Sequence, residues 1–573
     1  MTNPVKIVML LLVFPFNCSN SGQPEAVQSP FEYRDVHLPA LSDEENRELR
    51  LNSVDRDWGI WGHNLSVVLP SNAAPSVYAK SGNSVNTSQF CFSSDALFRY
   101  IRDYIDDYYG NDVPMRFAIL PNDNSVVCQC RECVEHGNTA TDASGAIYYM
   151  LERLSEAFPK HQFFSSYYRT ATSLPDKPLP RNVGVLISAM SYPLSPVHTP
   201  QEDEFEALLR KWSRYTDKLY VWDYINNFDD YLTPAPIFDI AQRRLRMYAD
   251  AGVKGVFFNG SGAEYSTMSR IKTHILAALL ADPDIDWRPL LEEKCNRLYP
   301  VTGQLICDFM TLQEDMMTAR GKSLPLYEGV QVASRVYLPV EEFISFHEQL
   351  NDRLVRIKDP EYSEIRLMCR AMMFTRLELN RMSGDTVGCG RLLAGLERAI
   401  PQGLVAYSES GGSTASYISE YRYMLSNAAS GRRNLLKGAA LEPLTALDEE
   451  YSDISILTDG LLGLPSSYHC GQMLSSATPS LRIAIPRVRG MRRLRVNLTR
   501  NAIYHIGLPS SVSLSLDGRD LGKRIPRAES GNPNRSVVEF SIPAGTSGTL
   551  VLTLVRNPEE RTMAIDEIEA FTR

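Results

Sequence analysis

The chain is 573 residues long, with 44% hydrophobic and 22% charged residues and a formal net charge of −9. That length allows roughly two to four domains, and the composition is that of a globular protein. The acidic surplus, with no helix-turn-helix, zinc-finger or P-loop pattern, excludes nucleic acid as the expected main partner.

Residues 1–18 read as an export signal: Lys6, an apolar run over 7–16, then Asn17 and Cys18. The run is too short to span a bilayer, and no later stretch of about 18 uncharged apolar residues occurs, so no transmembrane helix is expected. Cys18 stands where a bacterial lipoprotein signal places its acylated cysteine, and the polar residues 19–29 suit a linker. Pro15-Phe16-Asn17 departs from the usual small-residue box, and a plain secretory signal with an incidental cysteine is the alternative. The expectation is an exported protein, lipid-anchored through Cys18 at the outer membrane, on its periplasmic or surface face.

Eight candidate strands follow, over 31–36, 58–64, 88–93, 117–123, 163–169, 183–190, 219–228 and 253–259. Helical patterns separate most of them, for example 95–109, 143–158, 202–215 and 237–251. Ser94-Asp95, Thr141 to Ser144 and Thr233-Pro234-Ala235-Pro236 supply helix-start signals. The alternation predicts an α/β fold, a (β/α)8 TIM-like barrel over residues 30–265, with an open doubly wound sheet as the alternative. No G-x-G-x-x-G follows the first strand, which leaves a dinucleotide site without support. Residues 266–430 repeat apolar positions at helical spacing and predict a helical domain. Residues 431–573 hold short alternating strands, with Asp517-Gly518 as a turn signal, and predict an antiparallel β-sandwich of jelly-roll type.

A barrel builds its active site at the C-terminal ends of its strands. Two carboxyl groups flank the bond in most glycoside hydrolysis, and Asp123, Asp223 and Glu264 stand at or after strand ends in this sequence. For Asp123 the plain alternative is a turn-forming Asn-Asp-Asn cluster; for Asp223 it is a buried aspartate holding neighbouring loops. Sugars offer apolar faces and hydroxyl edges, so Tyr168, Trp222 and Tyr224 are candidate platforms. His63, Asn122, Arg169, Asn226 and Asn259 are candidate polar contacts, and His63 reads equally as a structural histidine. Cys128-x-Cys130-x2-Cys133, with Cys91 ending an earlier strand, suits a closed structural zinc site. Disulfide pairing competes with zinc in an exported protein. No cofactor is expected for catalysis.

The order of Trp58 to His63, Gln89 to Ser93, Asn122-Asp123 with the three cysteines, Val221 to Tyr224 with Phe228, Gly252 to Phe257, and Ala277 to Trp287 resembles one bacterial family. It is the family called domain of unknown function 4838, which includes endo-β-N-acetylglucosaminidases of glycoside hydrolase family 163. The C-terminal part, ending Ala564 to Phe571, resembles galactose-binding-like or discoidin-like domains. The resemblance implies an exported barrel acting on complex glycans, among them N-acetylglucosamine-containing ones, where the substrate's acetamide can serve as nucleophile. The alternative, a non-catalytic glycan-binding protein, is favoured by a departure from the family pattern: Phe258-Asn259-Gly260 stands where relatives often carry a Phe-Glu-Gln-Gly-like stretch.

Overall fold

The computed structural model describes residues 29–572, apart from positions 40, 83, 399–403, 411, 429–432, 449 and 546. Cys18 and the export segment lie outside the described residues. In chain order the first strands are β1 (Tyr33–His37), β2 (Trp58–Ile60), β3 (Tyr78–Ser81), β4 (Ser84–Phe90) and β5 (Arg116–Ala118). They are followed by β6 (Gln162–Tyr167), β7 (Val183–Ser188), β8 (Leu219–Tyr224) and β9 (Gly255–Asn259).

Seven of these nine form one sheet in the order β1-β9-β8-β7-β6-β5-β2, every neighbouring pair parallel. Neighbours in space follow chain order, and the last strand returns to the first, with Tyr33 opposite Gly255. Among the described residues the ring is unpaired between β1 and β2. The fold is therefore a TIM-like barrel of seven strands with one seam, rather than the expected eight. The expected strand at 88–93 is the end of β4, which pairs antiparallel with β3 in a separate hairpin. Its composition marks an extended segment but carries no information about which neighbour it pairs with.

Inside the barrel, β-strand alternation points Tyr33, Trp58, Phe164, Tyr220 and Phe257 inward, with Trp61 and Trp222 packed on them. Tyr33 stacks on Tyr220 at 5.6 Å and meets Trp58 edge-on at 5.8 Å, so aromatic rings fill the seam that lacks backbone pairing. Each fully buried ring contributes on the order of 1.5–3 kcal/mol. Gly255 makes room for this: a Cβ there would meet the Tyr220 ring at 2.5 Å. Helices Asp95–Tyr108, Ser144–Ala157, Pro200–Trp212 and Phe238–Asp250 cover the outside. Ser94 and Thr199 cap two of them through Leu97 N–H and Glu202 N–H, both at 3.3 Å.

Among the described residues eight α-helices, from Ser269–Ala281 to Thr414–Ala428, follow the barrel. They are joined to it at helix Phe238–Asp250, whose N-cap, Ile237, has no capping side chain. Glu314 caps it from the helical layer instead, accepting the Ile237 and Phe238 N–H groups at 2.6 and 2.7 Å. Here the first-turn amides and the helix dipole stabilise a carboxylate from another element. No helix among the described residues is long and apolar enough to cross a membrane.

Residues 442–571 form two further sheets, antiparallel apart from a short parallel contact between Ile506–Gly507 and Thr562–Phe571. Their alternating apolar residues, such as Leu481, Ile483 and Ile485 on one sheet and Leu494, Val496 and Leu498 on the other, share one core. Asp517 and Gly518 both have positive φ, the two-residue turn that this pair favours. On this surface Arg493 and Arg495 both pair with Glu539, at 3.4 and 2.8 Å.

Candidate active site at the barrel mouth

A cavity of about 200 Å³ opens at the C-terminal ends of the strands. Inward positions of successive strands build its wall: Ser166 and Tyr168, Ser188 and Met190, Trp222 and Tyr224, and Asn259. His63, Leu120 and Asp123 complete the barrel side, and Tyr327 and Glu409 close it from the helical region. A broader groove of about 1120 Å³ lies at the opposite end, lined by Glu32, Arg34, Lys254 and His274. That end carries the strand starts, where barrel residues serve stability rather than chemistry.

Trp222 supplies the platform. Its ring stacks on Trp61 at 4.9 Å and meets Phe257 edge-on at 5.1 Å, which fixes its plane. His63 lies 6.4 Å from Trp222 and 6.0 Å from Tyr168, ring centre to ring centre. Its Nδ1 is 2.6 Å from the Pro121 carbonyl, which can only accept, so Nδ1 carries hydrogen and Nε2 is left for other partners. Among the described residues, Ser166 Oγ and Trp222 Nε1 of the cavity lining have no protein partner. Buried donors without partners are costly, and a bound hydroxyl-rich group would satisfy them.

Two carboxyl groups line the cavity. Asp123 is half-exposed, and its Oδ1 lies 3.1 Å from Arg169 Nη1, which also donates to the Asp123 carbonyl at 3.0 Å. Arg169 has a φ of 50°, a left-handed conformation held where Tyr168 and Ala171 bridge. Glu409 sits on the rim opposite the barrel strands. Partial desolvation raises its carboxyl above the ordinary range; Asp229 and Asp123 add to the rise, and the Tyr327 hydroxyl, donating at 3.3 Å, opposes it. Burial likewise raises Tyr168, Tyr224 and Tyr327.

Glu409 is placed by backbone bonds to the stretch after β8. Phe228 N–H donates to Leu326 O, and Glu409 N–H donates to Phe228 O, each at 2.7 Å. Asn227 Nδ2 donates to Glu328 O at 2.6 Å, which fixes the Tyr327 segment. The β-sandwich contributes as well: buried Asp229 accepts from Tyr468 at 2.6 Å and Tyr504 at 3.0 Å. The Tyr504 hydroxyl also lies 2.5 Å from Ser410 Oγ, beside Glu409. Glu409 and Tyr327 carry no sequence signal; they lie far along the chain in segments without a motif.

The structure brings together Asp123, His63, Tyr168, Trp222, Tyr224 and Asn259, with Arg169 holding Asp123 at the rim. It does not bring the other candidates there. Asp223 points out of the barrel, 1% exposed, ion-paired with Arg244 and accepting the Tyr248 hydroxyl at 2.6 Å. Both partners lie on helix Phe238–Asp250, so Asp223 anchors strand to helix and is no member of the acid–base pair. Asn122 turns to the hairpin and donates to Ser88 O at 2.9 Å. Asn226 is buried against Ser266 Oγ at 3.0 Å, and Glu264 is exposed in the loop after β9, outside the cavity lining. Cys91, Cys128, Cys130 and Cys133 do converge, all buried, with sulfurs within 4.8 Å of one another.

Residues 32–310 match the family model of DUF4838, domain of unknown function. The matched stretch is just under half of the chain. It contains the whole barrel and the barrel side of the cavity, while Tyr327 and Glu409 lie beyond it. No curated protein matches the chain. Among solved structures, a family GH115 4-O-methyl-α-glucuronidase with specificity for decorated arabinogalactans is similar at 10% identity. The match covers 87% of this chain and 68% of that one, with a TM-score of 0.36. A GH138 enzyme targeting pectin rhamnogalacturonan II is similar at 8% identity, over 95% and 86% of the two chains, with a TM-score of 0.31. The C-terminal domain of a chitobiase from Bacteroides fragilis matches 24% of this chain and 95% of its own, at 15% identity and a TM-score of 0.18.

Proposed function

We propose that the DUF4838 barrel mouth is the active site of a glycoside hydrolase acting on complex glycans. One observation carries the reading: a single cavity at the strand C-termini holds two carboxyl groups, Asp123 and Glu409, beside the fixed ring of Trp222. Glu409, with its raised carboxyl, is the general acid that protonates the leaving oxygen. Asp123, paired with Arg169, supplies the second carboxylate, which activates water or steadies the charge that develops at the sugar carbon. Trp222 takes the apolar face of the ring, and Ser166, Asn259 and the free nitrogen of His63 take its hydroxyls. At about 200 Å³ the cavity is smaller than drug-sized ligand sites and suits one ring-sized group. N-acetylglucosamine-containing glycans are the proposed substrates, on the family resemblance. Export and a lipid anchor on Cys18, at the outer membrane, follow from the N-terminal sequence pattern.

The test is turnover of a panel of aryl glycosides and N-acetylglucosamine-containing glycans by wild type, E409Q and D123N. Each variant is expected to lose about 10²–10⁴-fold in kcat while still binding glycan. Wild-type rates in both would remove the assignment. A second reading, a glycan-binding lipoprotein without turnover, is favoured by Asn259, an amide at a mouth position where a carboxylate-dependent mechanism would want an acid. Binding by wild type with no product released decides for it.

A further inference from the structure

We propose that Cys91, Cys128, Cys130 and Cys133 form a closed, tetrahedral zinc site that fastens the β3–β4 hairpin to the loop carrying Asp123. The metal assignment stands apart from the hydrolase reading; only the consequence for Asp123 rests on it.

The spacing of the sulfurs argues for a shared ion over disulfides. Cys91 Sγ lies 3.6 Å from Cys130 Sγ and 3.7 Å from Cys133 Sγ, and all four sulfurs fall within 4.8 Å of one another. A disulfide brings two sulfurs to about 2.05 Å and leaves other cysteines outside that bond. Four thiolates around zinc at about 2.3 Å form a tetrahedron with edges of about 3.8 Å, close to the spacings found here.

The surroundings also suit bound thiolates. The Lys80 N–H points at Cys128 Sγ at 3.2 Å, and the Cys133 N–H at Cys130 Sγ at 3.4 Å. Such amide donors offset thiolate charge from the outer shell of a metal site. The Ser93 hydroxyl stands 3.1 Å from Cys133 Sγ and 3.5 Å from Cys130 Sγ, as a further outer-shell contact. All four cysteines are buried, and with four protein ligands no coordination position stays open, so the site is structural. Tetrahedral sulfur ligation admits zinc or iron; the closed four-thiolate set is that of a structural zinc site, and zinc is assigned.

The site's position gives it a task. Cys91 directly follows β4, and the two residues before Phe90 hold the Asp123 loop. Gln89 grips Asn122 by both ends of its amide, accepting from the Asn122 N–H at 2.9 Å and donating to its carbonyl at 3.0 Å. Asn122 and Asn124 both donate to Ser88 O, at 2.9 and 2.8 Å. On the other strand, Lys80 O accepts the Gln129 N–H at 2.7 Å. A two-stranded hairpin is marginal by itself; the ion would lock it against residues 128–133 and so fix Asp123 from behind.

The experiment is metal analysis of the full chain purified without chelators, by plasma mass spectrometry and zinc-edge X-ray absorption. One zinc per chain with four sulfurs at about 2.3 Å is expected. The four thiols should resist alkylation until a strong chelator is added, and chelation should lower the Tm. C128S and C133S should lose the zinc; if they fail to fold, the wild-type metal content and alkylation still decide. A metal-free protein whose intact mass shows disulfides among these four cysteines overturns the proposal, as does iron in place of zinc. Zinc present in a wild-type protein that binds glycan but releases no product would sink the hydrolase reading and leave the metal site standing.

Discussion

The Glu409 N–H donates to the Phe228 carbonyl at 2.7 Å, joining two residues 181 positions apart. This one bond ties the rim acid of the helical region to the stretch that ends β8. Around it, Asp229, Tyr504 and Ser410 add a second tie from the β-sandwich. The cavity is thus assembled by three parts of the chain, and its chemistry is sensitive to contacts that touch no ligand.

Tyr504 is expected to act through Glu409. Y504F removes the hydroxyl that bonds Asp229 and meets Ser410. A fall of about tenfold in kcat with little change in KM is expected, since the loop would hold Glu409 less tightly. S410A should show the same pattern in steady-state kinetics. Unchanged kcat in both would mean that the sandwich contact does not position the acid.

Glu409 should set the alkaline limb of the pH–rate profile. After partial desolvation, the negative charge of Asp229 raises its carboxyl. D229N removes that charge while keeping an acceptor for one of the two hydroxyls, Tyr468 or Tyr504, so the Glu409 pKa should fall. The alkaline limb of kcat/KM should then move to lower pH, because the acid must be protonated to act. A limb that stays in place would separate Glu409 from proton donation.

Asp223 should matter to stability and little to chemistry. D223N leaves the buried Arg244 guanidinium without its charge partner, and breaking such a pair costs about 3–5 kcal/mol. Denaturant unfolding should show that loss, while kcat per folded molecule at low temperature stays near wild type. Loss of turnover at undiminished stability would return Asp223 to the catalytic set.

Asp35 gives the fold a pH dependence. Burial is the largest influence on its carboxyl and pushes it up to about 7 from an ordinary value of 3.8. A carboxyl raised on folding contributes stability that is fully present below about pH 4 and is lost as pH rises through about 7. Urea midpoints of wild type should therefore fall relative to D35N across that window. Parallel curves for the two proteins would show that Asp35 titrates in the fold as it does in the unfolded chain.

Much of the barrel was legible because its strands are apolar runs punctuated by helix caps. Ser94 caps its helix as its position suggests. The 88–93 segment was misplaced because β-forming composition does not name a pairing partner. The Asp223 assignment illustrates a rule that was available: side chains alternate along a strand, so a residue between Trp222 and Tyr224 cannot share their inward face. His63, Asp123 and Tyr168 were found because strand ends and polar loops mark a barrel mouth.

By itself the sequence determined the alternation of elements, the change to β-sandwich patterning, and the short spacing of three cysteines, since all are local regularities of a few residues. Only tertiary structure decided that Cys91, a candidate from its place at a strand end, does meet those three, that seven strands curve around Tyr33 and Tyr220 with one open seam, and that Glu409 lines the same cavity as Asp123. Those relations depend on backbone bonds and packing between segments tens to hundreds of residues apart. No local pattern encodes them, because a side chain's propensities fix its own conformation and leave its distant neighbours to the packing of the whole chain.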